Sequence, residues 1–310
     1  MVSRPLSWKV LIMSNNIKKV IYHSDDMGAT GDITSRLIEA WERGLLDGFS
    51  IFADSSYLGN IKKSLLAAPG RDARIAVHLN LWEGKPLLQI SKVSRLVDED
   101  GYFNVGFLGI LKNYLTSPEE EKKALLNEVD EEWDAQIAKV IETVKPRTVT
   151  ALDGHIHIHM IPFLFKIATR LAKKYDIPEI RIVAEPYHFS GKFSDYFSLL
   201  FLKNTIKHLV LSACVPFDIR IAREAKIGHP EAMLGILYSG IMSRANITSG
   251  ILAAKRKHVE SIEVLMHIGR ASEKELDRWK GDKKRASFVL SSRRDDEYKE
   301  LSILRKEYNA

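Results

Sequence analysis

The sequence predicts an α/β fold built on a parallel sheet, and three observations support this class. Short apolar runs of strand character alternate along the chain with longer stretches that have helical periodicity. Polar clusters follow directly after several apolar runs, as expected at the carboxyl edge of parallel strands. The 310 residues are 45% hydrophobic and 28% charged, with no linker or internal repeat, which favours a single domain over residues 1–310.

The first part of the chain contains three predicted strands. Residues 18–23 form a buried strand that leads into Asp25 and Asp26, and the helix that follows ends at Gly44. The next elements are a strand at 49–53, a helix at 57–68 and a strand at 74–81 that contains His78. Residues 82–116 show neither the periodicity of a helix nor that of a strand, so they are interpreted as a long irregular insertion.

A long helix and a fourth strand come next. Residues 117–120, Ser-Pro-Glu-Glu, have the pattern of a capping box with proline at the first helical position. The apolar stripe of this helix continues until Pro146, and residues 148–152 form the fourth strand. A helix then runs from Pro162 to about residue 174 and a strand covers 180–183.

The last third of the chain is less regular. Residues 185–249 have no clear assignment, and 264–269 look like a strand that meets a turn. A charged helix over 295–308 should face inward with Leu301 and Leu304.

Composition excludes several classes of protein. The net charge of +6 comes mostly from basic residues beside acids, and no nucleic-acid motif is present, so no nucleic-acid partner is expected. Residues 196–215 are apolar but contain Lys203, Lys207 and His208, which makes them too polar to span a bilayer. A core helix is favoured there, and a basic amphipathic helix on an anionic membrane surface is the alternative.

The single cysteine, Cys214, excludes an internal disulfide and suits a reducing compartment. Residues 1–16 lack a convincing cleavage site and are interpreted as an irregular leader. We therefore expect a cytoplasmic protein, with peripheral membrane contact and a homo-oligomer both left open.

The segment 152–162 contains the strongest functional signal. Asp153, His155, His157 and His159 recur at every second position. On an extended chain these side chains would face the same way, and imidazole is a common metal ligand. The alternative is a half-exposed strand whose histidines only form hydrogen bonds.

Three predicted strand ends bring together one aspartate and two histidines. Asp26, His78 and His155 would form a metal site with positions left open for water and substrate. Asp25, next to a proposed ligand, is the natural base that would take a proton from water. Asp153 could orient an imidazole, and His157 and His159 could orient ligands or substrate.

Each of these residues also has an ordinary structural interpretation. An Asp-Asp-x-Gly segment at a strand end is often a turn or a helix cap. His78 and His267 are flanked by apolar residues and could be core histidines with satisfied hydrogen bonds.

Three motifs resemble the YdjC-like carbohydrate deacetylases: His-Ser-Asp-Asp-Met-Gly at 23–28, His-Leu-Asn-Leu at 78–81 with Gly-Lys-Pro at 84–86, and the Asp-Gly-His-x-His-x-His run at 153–159 with Pro162. Weaker similarity continues to residue 269 and covers most of the chain. The resemblance implies a distorted (β/α) barrel related to the polysaccharide deacetylases. It also implies metal-dependent removal of an acetyl group from an N-acetylated sugar.

The resemblance implies roles for two further residues. Arg181 would hold substrate or orient Asp25, and His267 would be the acid or a transition-state stabiliser. Departures from the family pattern, at Met27, Trp82 and Ile268, leave the proposed ligands intact but change the surroundings of the sugar. Residues 82–116 and 185–249 would then shape the substrate side of the pocket.

The cofactor would be one divalent ion, with zinc or magnesium first and cobalt or manganese also compatible with an Asp/His₂ set. Other interpretations stay open: a lipid-linked or nucleotide-linked amino sugar as substrate, a metal-dependent phosphoesterase, or a sugar-binding protein without activity. No glycine-rich phosphate loop supports the phosphoesterase.

Overall fold

The computed structural model describes residues 17–190 and 198–309. Within these residues one sheet contains seven strands, all parallel, in the order β5-β4-β3-β2-β1-β7-β6. The strands are β1 Lys19–Met27, β2 Gly48–Ile51, β3 Arg74–Leu79, β4 Ala151–Gly154, β5 Glu179–Ile180, β6 Ala232–Leu234 and β7 Ser261–Leu265.

The sheet is curled into a distorted barrel, and its two edges meet. Beyond the named strands, Glu179 forms a parallel bridge with Gly228, and the N–H of Ile180 donates to the Gly228 carbonyl at 2.9 Å. This contact links β5 to the segment that enters β6. The predicted α/β class and the (β/α) barrel implied by the resemblance are both confirmed.

Helices cover the outer face of the sheet with their apolar stripes. Trp41 and Trp133 are fully buried there, and Leu301 and Leu304 of the last helix face inward as predicted. The helices are α1 Gly31–Glu42, α2 Leu58–Ala67, α3 Phe107–Thr116, α4 Glu119–Val144, α5 Pro162–Lys174, α6 Leu199–Ala225, α7 Arg244–Lys255 and α8 Arg293–Asn309.

The segment 82–116 is more regular than predicted. It contains α3 and a short 3₁₀ turn at Ile90–Lys92, and α3 buries Ile110 against the core. The predicted capping box at 117–120 is wrong, because α4 begins at Glu119 and Pro118, in the cap position, has no side-chain donor or acceptor for it. Three glutamates in the first turn of α4 complement the helix dipole instead.

Residues 185–249 contain α6, β6 and the first half of α7. The helix expected over 196–215 exists as α6 from Leu199 onward, but only part of it is core, because several of its apolar residues face outward. None of the described helices combines the length and the hydrophobicity that a bilayer-spanning segment requires. The expected irregular leader at 1–16 lies outside the described residues.

The prediction that the histidine run is extended is wrong. Strand β4 ends at Gly154, and His155–Met160 form 3₁₀ turns in which Ile156 and His157 have φ angles of 50° and 59°. These left-handed residues break the alternation, so the histidines do not share one face.

Candidate active site

Three side chains converge at the carboxyl edge of the sheet. Asp26 is the penultimate residue of β1, His78 is the penultimate residue of β3, and His155 directly follows β4. Oδ1 of Asp26 lies 3.7 Å from Nε2 of His78 and 3.5 Å from Nδ1 of His155, and the two imidazole nitrogens are 3.3 Å apart. The carboxyl ends of β1, β3 and β4, with β2 between β1 and β3, therefore bring the three predicted ligand residues together.

The spacing of these atoms fits one divalent ion. A point equidistant from the corners of this triangle lies about 2.0 Å from each atom, within the range of about 2.0–2.2 Å for zinc bonds to imidazole and carboxylate. The donor set of one carboxylate and two imidazoles also suits such an ion, and it leaves further coordination positions for water.

The backbone at Asp26 is irregular in a way that separates the two aspartates. The pairing of β1 with β2 shifts register between Ser24 and Met27, and Asp26 has a φ of 71°. Oδ2 of Asp26 accepts a hydrogen bond from Nη1 of Arg294 at 3.0 Å, whereas Oδ1 lies beside the imidazole nitrogens of His78 and His155. Burial raises the pKa of Asp26, but His155 and Arg294 outweigh burial and hold it far below the usual aspartate value.

Each histidine of the cluster is oriented by a carboxylate behind it. Nδ1 of His78 lies 2.6 Å from Oδ1 of Asp153, its partner across β3 and β4. Nε2 of His155 lies 3.4 Å from Oε1 of Glu83. A proton on each of these outer nitrogens leaves the inner nitrogen's lone pair directed at the cluster. Burial lowers the pKa of His155, but Glu83 and Asp26 outweigh it and raise the value to about 9.

Asp25 points away from Asp26 and toward Arg181. Nη1 and Nη2 of Arg181 donate to the two oxygens of Asp25, each at 2.8 Å. The same guanidinium lies 3.0 Å from Oδ2 of Asp153 and donates from Nε to Oε1 of Glu263 at 2.7 Å. Burial raises the pKa of Asp25, but the paired Arg181 holds it well below the ordinary value, so Asp25 is ionised at neutral pH.

A second group of potential ligands, His23, Asp25 and Asp153, is already filled by protein atoms. The Ser50 hydroxyl lies between them, 2.7 Å from Nε2 of His23, and donates to Asp153 Oδ2 at 2.5 Å. The guanidinium of Arg181 neutralises the two carboxylates from the other side. Of these two groups, Asp26, His78 and His155 are therefore the better candidates to hold a metal ion.

A cavity of about 270 Å³ opens beside the cluster and includes Asp25 and Asp26 in its wall. His267 also lines it, and burial lowers the pKa of His267 to about 4, so this imidazole is neutral at pH 7. Lys207 of α6 is also part of the wall, and burial lowers the pKa of its ammonium group. Aromatic rings of Trp82 and Phe288 complete much of the wall.

The other two histidines of the run occupy different positions. His157 lines the cavity, and its Nδ1 has no hydrogen-bond partner among the described residues. His159 is buried away from the cavity, and its Nε2 lies 2.9 Å from the carbonyl oxygen of Arg181. His159 therefore supports the backbone of Arg181, whereas His157 is part of the cavity wall.

Sequence reasoning missed several residues of this site. Glu83 follows the His-Leu-Asn-Leu motif within an irregular stretch, and its closeness to His78 in sequence was the available signal. Arg294 reaches Asp26 from the last helix, and Lys207 reaches the cavity from α6. Neither has a local sequence signal, because its role depends only on tertiary packing.

The fold and the cluster define a class: a parallel α/β barrel with an Asp/His₂ group at the carboxyl edge of its strands. A crystal structure of similar fold is that of a candidate cellobiose-phosphate cleavage protein from Enterococcus faecalis V583. It is matched with a TM-score of 0.52 and 24% identity, over 92% of this chain and 95% of that one. At this identity the match supports the fold alone.

Sequence comparison identifies the family. The profile described as "YdjC-like protein" matches residues 19–307, so the chain belongs to the YdjC-like family. A relative from E. faecalis named carbohydrate deacetylase is 34% identical over 54% of this chain and 58% of its own length. One of the same name from Listeria monocytogenes serotype 4b is 29% identical over 62% of this chain and 74% of its own length. The E. faecalis relative and a carbohydrate deacetylase from Thermoanaerobacter pseudethanolicus, which is matched over 59% of its own length, are thus each covered over less than two thirds of their length.

Proposed function

We propose that this protein is a metal-dependent hydrolase that removes the N-acetyl group from an N-acetylhexosamine-containing sugar and releases acetate. The observation that carries the proposal is the convergence of three ligand atoms, 3.3–3.7 Å apart, beside the ionised carboxylate of Asp25 in one cavity. The names of the relatives, carbohydrate deacetylase, support the choice of substrate.

Asp26, His78 and His155 would hold one divalent ion, with zinc or magnesium first and cobalt or manganese also tested. When bound, such an ion polarises the acetamide carbonyl and lowers the pKa of water toward neutrality. Once the pKa of water is lowered in this way, even a weakly basic carboxylate can accept its proton and leave a hydroxide-like nucleophile. The depressed pKa of Asp25 is therefore compatible with its role as a base.

Asp25 takes the proton from the attacking water, and Arg181 keeps its two oxygens fixed in the plane of the guanidinium. Asp153 and Glu83 keep the imidazoles of His78 and His155 in the required tautomers. Arg181 thereby orients the base and does not need to contact the sugar, since it is fully buried.

The departing amine needs a proton, and two groups of the cavity wall can supply or relay it. His267 is neutral at pH 7, so it would donate only after receiving a proton, and otherwise it stabilises the transition state by a hydrogen bond. Lys207 is the second candidate, because its lowered pKa brings an ammonium donor closer to the useful range. Comparing the pH–rate profiles of His267→Gln and Lys207→Met separates the two, since loss of the acid removes the alkaline limb.

The experiment is acetate release from a panel of N-acetylated sugars, free, nucleotide-linked and lipid-linked, after chelation and restoration of each metal. We expect release from at least one sugar only when metal is restored. Asp26→Asn should lose both metal and turnover, whereas Asp25→Asn should keep the metal and lose about 10²–10⁴-fold in rate.

Three outcomes overturn the proposal or part of it. Normal turnover by Asp25→Asn contradicts the base assignment. Bound metal without acetate release from any sugar would indicate a binding protein. Phosphate release from phosphate esters, in place of acetate release from the sugars, would indicate the phosphoesterase.

A further inference from the structure

Helix α6 exposes an unusual apolar surface, which we call the α6 face. Leu199 is 76% exposed, Leu209 60% and Phe217 56%. Of the exposed residues between 199 and 217, all in the described part of the chain, only Lys203 is charged. The outward side of a surface helix is normally polar, so this helix has the reverse pattern over about five turns. The α6 face comprises Leu199, Leu202, Ile206, Leu209, Val210 and Phe217.

Two exposed aromatic rings extend this surface. Tyr187 and Phe189 are 45% and 63% exposed, and their ring centroids are 5.0 Å apart. The Tyr187 ring also lies 5.8 Å from that of His208 on α6, which places the pair beside the α6 face. A contiguous apolar surface with aromatic residues at its side is typical of an interaction site.

The charges around the α6 face are mainly positive. Between residues 199 and 217, α6 contains no acid, and the exposed charged residue of this described segment is Lys203. The basic run Lys255-Arg256-Lys257 follows from α7, and Lys257 lines a small cavity together with Val215 and Pro216 of α6. Two acids, Glu185 and Glu231, also line this cavity, and Glu185 is buried and accepts hydrogen bonds from the backbone N–H groups of residues 235–237. A partner that covers the α6 face would therefore meet a cationic border.

We propose that the α6 face docks onto an anionic lipid bilayer, with its apolar residues at the headgroup–acyl boundary and the basic run near lipid phosphates. A second copy of this chain is a poorer partner, because its own Lys203 and Lys255-Arg256-Lys257 would add like charges to this border. An anionic bilayer supplies both the apolar layer and the opposite charge, and exposed aromatic residues suit its interface. Helix α6 lies on the surface and does not cross it.

Docking would also bring the cavity to the lipid surface. Leu200, Asn204 and Lys207, on the inner side of α6, line the cavity that contains Asp25 and Asp26. If the proposed deacetylase activity holds, the substrate class that this arrangement fits is an N-acetylated amino sugar attached to a lipid. Only this last step rests on the proposed function, since docking itself requires neither metal nor turnover.

The test is flotation of the full chain with vesicles of phosphatidylcholine alone and of phosphatidylcholine mixed with phosphatidylglycerol. We expect flotation with the anionic vesicles, weakened by high salt, and little flotation with the neutral ones. The double variant Ile206→Glu/Leu209→Glu should lose about tenfold or more in vesicle binding. The matched control is Leu66→Glu/Ile303→Glu, which places two charges at exposed apolar positions elsewhere and should float like the wild type.

Several results would overturn the docking proposal. The first is failure of the wild type to float with either vesicle, and the second is equal flotation by both double variants. A third is a dimer in light scattering that Ile206→Glu/Leu209→Glu converts to a monomer, which would assign the face to a second copy. Circular dichroism of each variant establishes that it is folded. None of these outcomes bears on acetate release, so the deacetylase proposal is tested separately.

Discussion

Replacing Glu83 by glutamine tests whether an outer carboxylate fixes the imidazole of His155. Oε1 of Glu83 lies 3.4 Å from Nε2 of His155, whose Nδ1 is 3.5 Å from Oδ1 of Asp26. Glutamine preserves the size of the side chain and an oxygen that can accept from Nε1 of Trp279, now at 2.6 Å from Glu83. The substitution removes the charge and leaves the packing nearly unchanged.

Loss of such a carboxylate weakens metal binding by about 10–100-fold, equivalent to about 1.4–2.7 kcal/mol. The contact of 3.4 Å is longer than an ordinary hydrogen bond, so we expect the lower part of this range. Glu83 also helps to raise the pKa of His155 to about 9 in the metal-free protein, and protons compete there with metal. Titration near or above this pH limits that competition.

The assay is a competition titration of the chelated protein against a chromophoric chelator. Glu132→Gln is the matched control, because Glu132 is also a fully buried carboxylate but accepts from the backbone N–H groups of Leu87 and Leu88, away from the cluster. We expect weaker metal binding in Glu83→Gln and unchanged metal binding in Glu132→Gln. Unchanged affinity in Glu83→Gln, with the variant folded, would refute the orienting role of this residue.

Three further predictions concern stability, measured by urea unfolding. Arg181→Met leaves three buried carboxylates without their guanidinium and should lower the free energy of unfolding by about 3–5 kcal/mol; a loss below about 1 kcal/mol would contradict this. Burial raises the pKa of Asp218 from 3.8 to about 8, so the folded state retains a proton that the unfolded state releases, and stability falls as pH rises through this window. The free energy of unfolding of Asp218→Asn should therefore rise relative to that of the wild type by up to about 1.4 kcal/mol per pH unit across that window. A difference between the two proteins that does not change with pH would refute the buried, protonated state of Asp218. Gly235→Ala should destabilise by about 1–3 kcal/mol, because φ is +137° and a Cβ would lie 2.7 Å from the Leu265 carbonyl oxygen; wild-type stability would argue against this strain.

The sequence predicted the cluster because parallel strands order their carboxyl ends along one edge. Asp26, His78 and His155 each lie at or just after the end of an apolar run, so their convergence required only that β1, β3 and β4 lie close together in one sheet, with β2 between β1 and β3. His155 was identified on a premise that the structure contradicts, since the histidine run is not extended. Its proximity to Asp26 comes from its place directly after β4.

Contacts that depend on packing between distant segments could not be predicted. Arg294 and Asp26 are separated by 268 positions, and no local pattern relates them. Glu83 lies in a stretch without helical or strand periodicity, so the direction of its side chain cannot be deduced from its position in the sequence. The outward apolar residues of α6 looked like core residues, because periodicity alone does not tell which side of a helix the protein covers.

The central claim is that one divalent ion binds between Asp26, His78 and His155, next to the ionised Asp25. Anomalous diffraction from crystals of the zinc- or manganese-loaded protein tests it most directly. We predict a single strong peak within bonding distance of Oδ1 of Asp26, Nε2 of His78 and Nδ1 of His155. A peak among His23, Asp25 and Asp153, or none near either group in fully loaded protein, would contradict the claim.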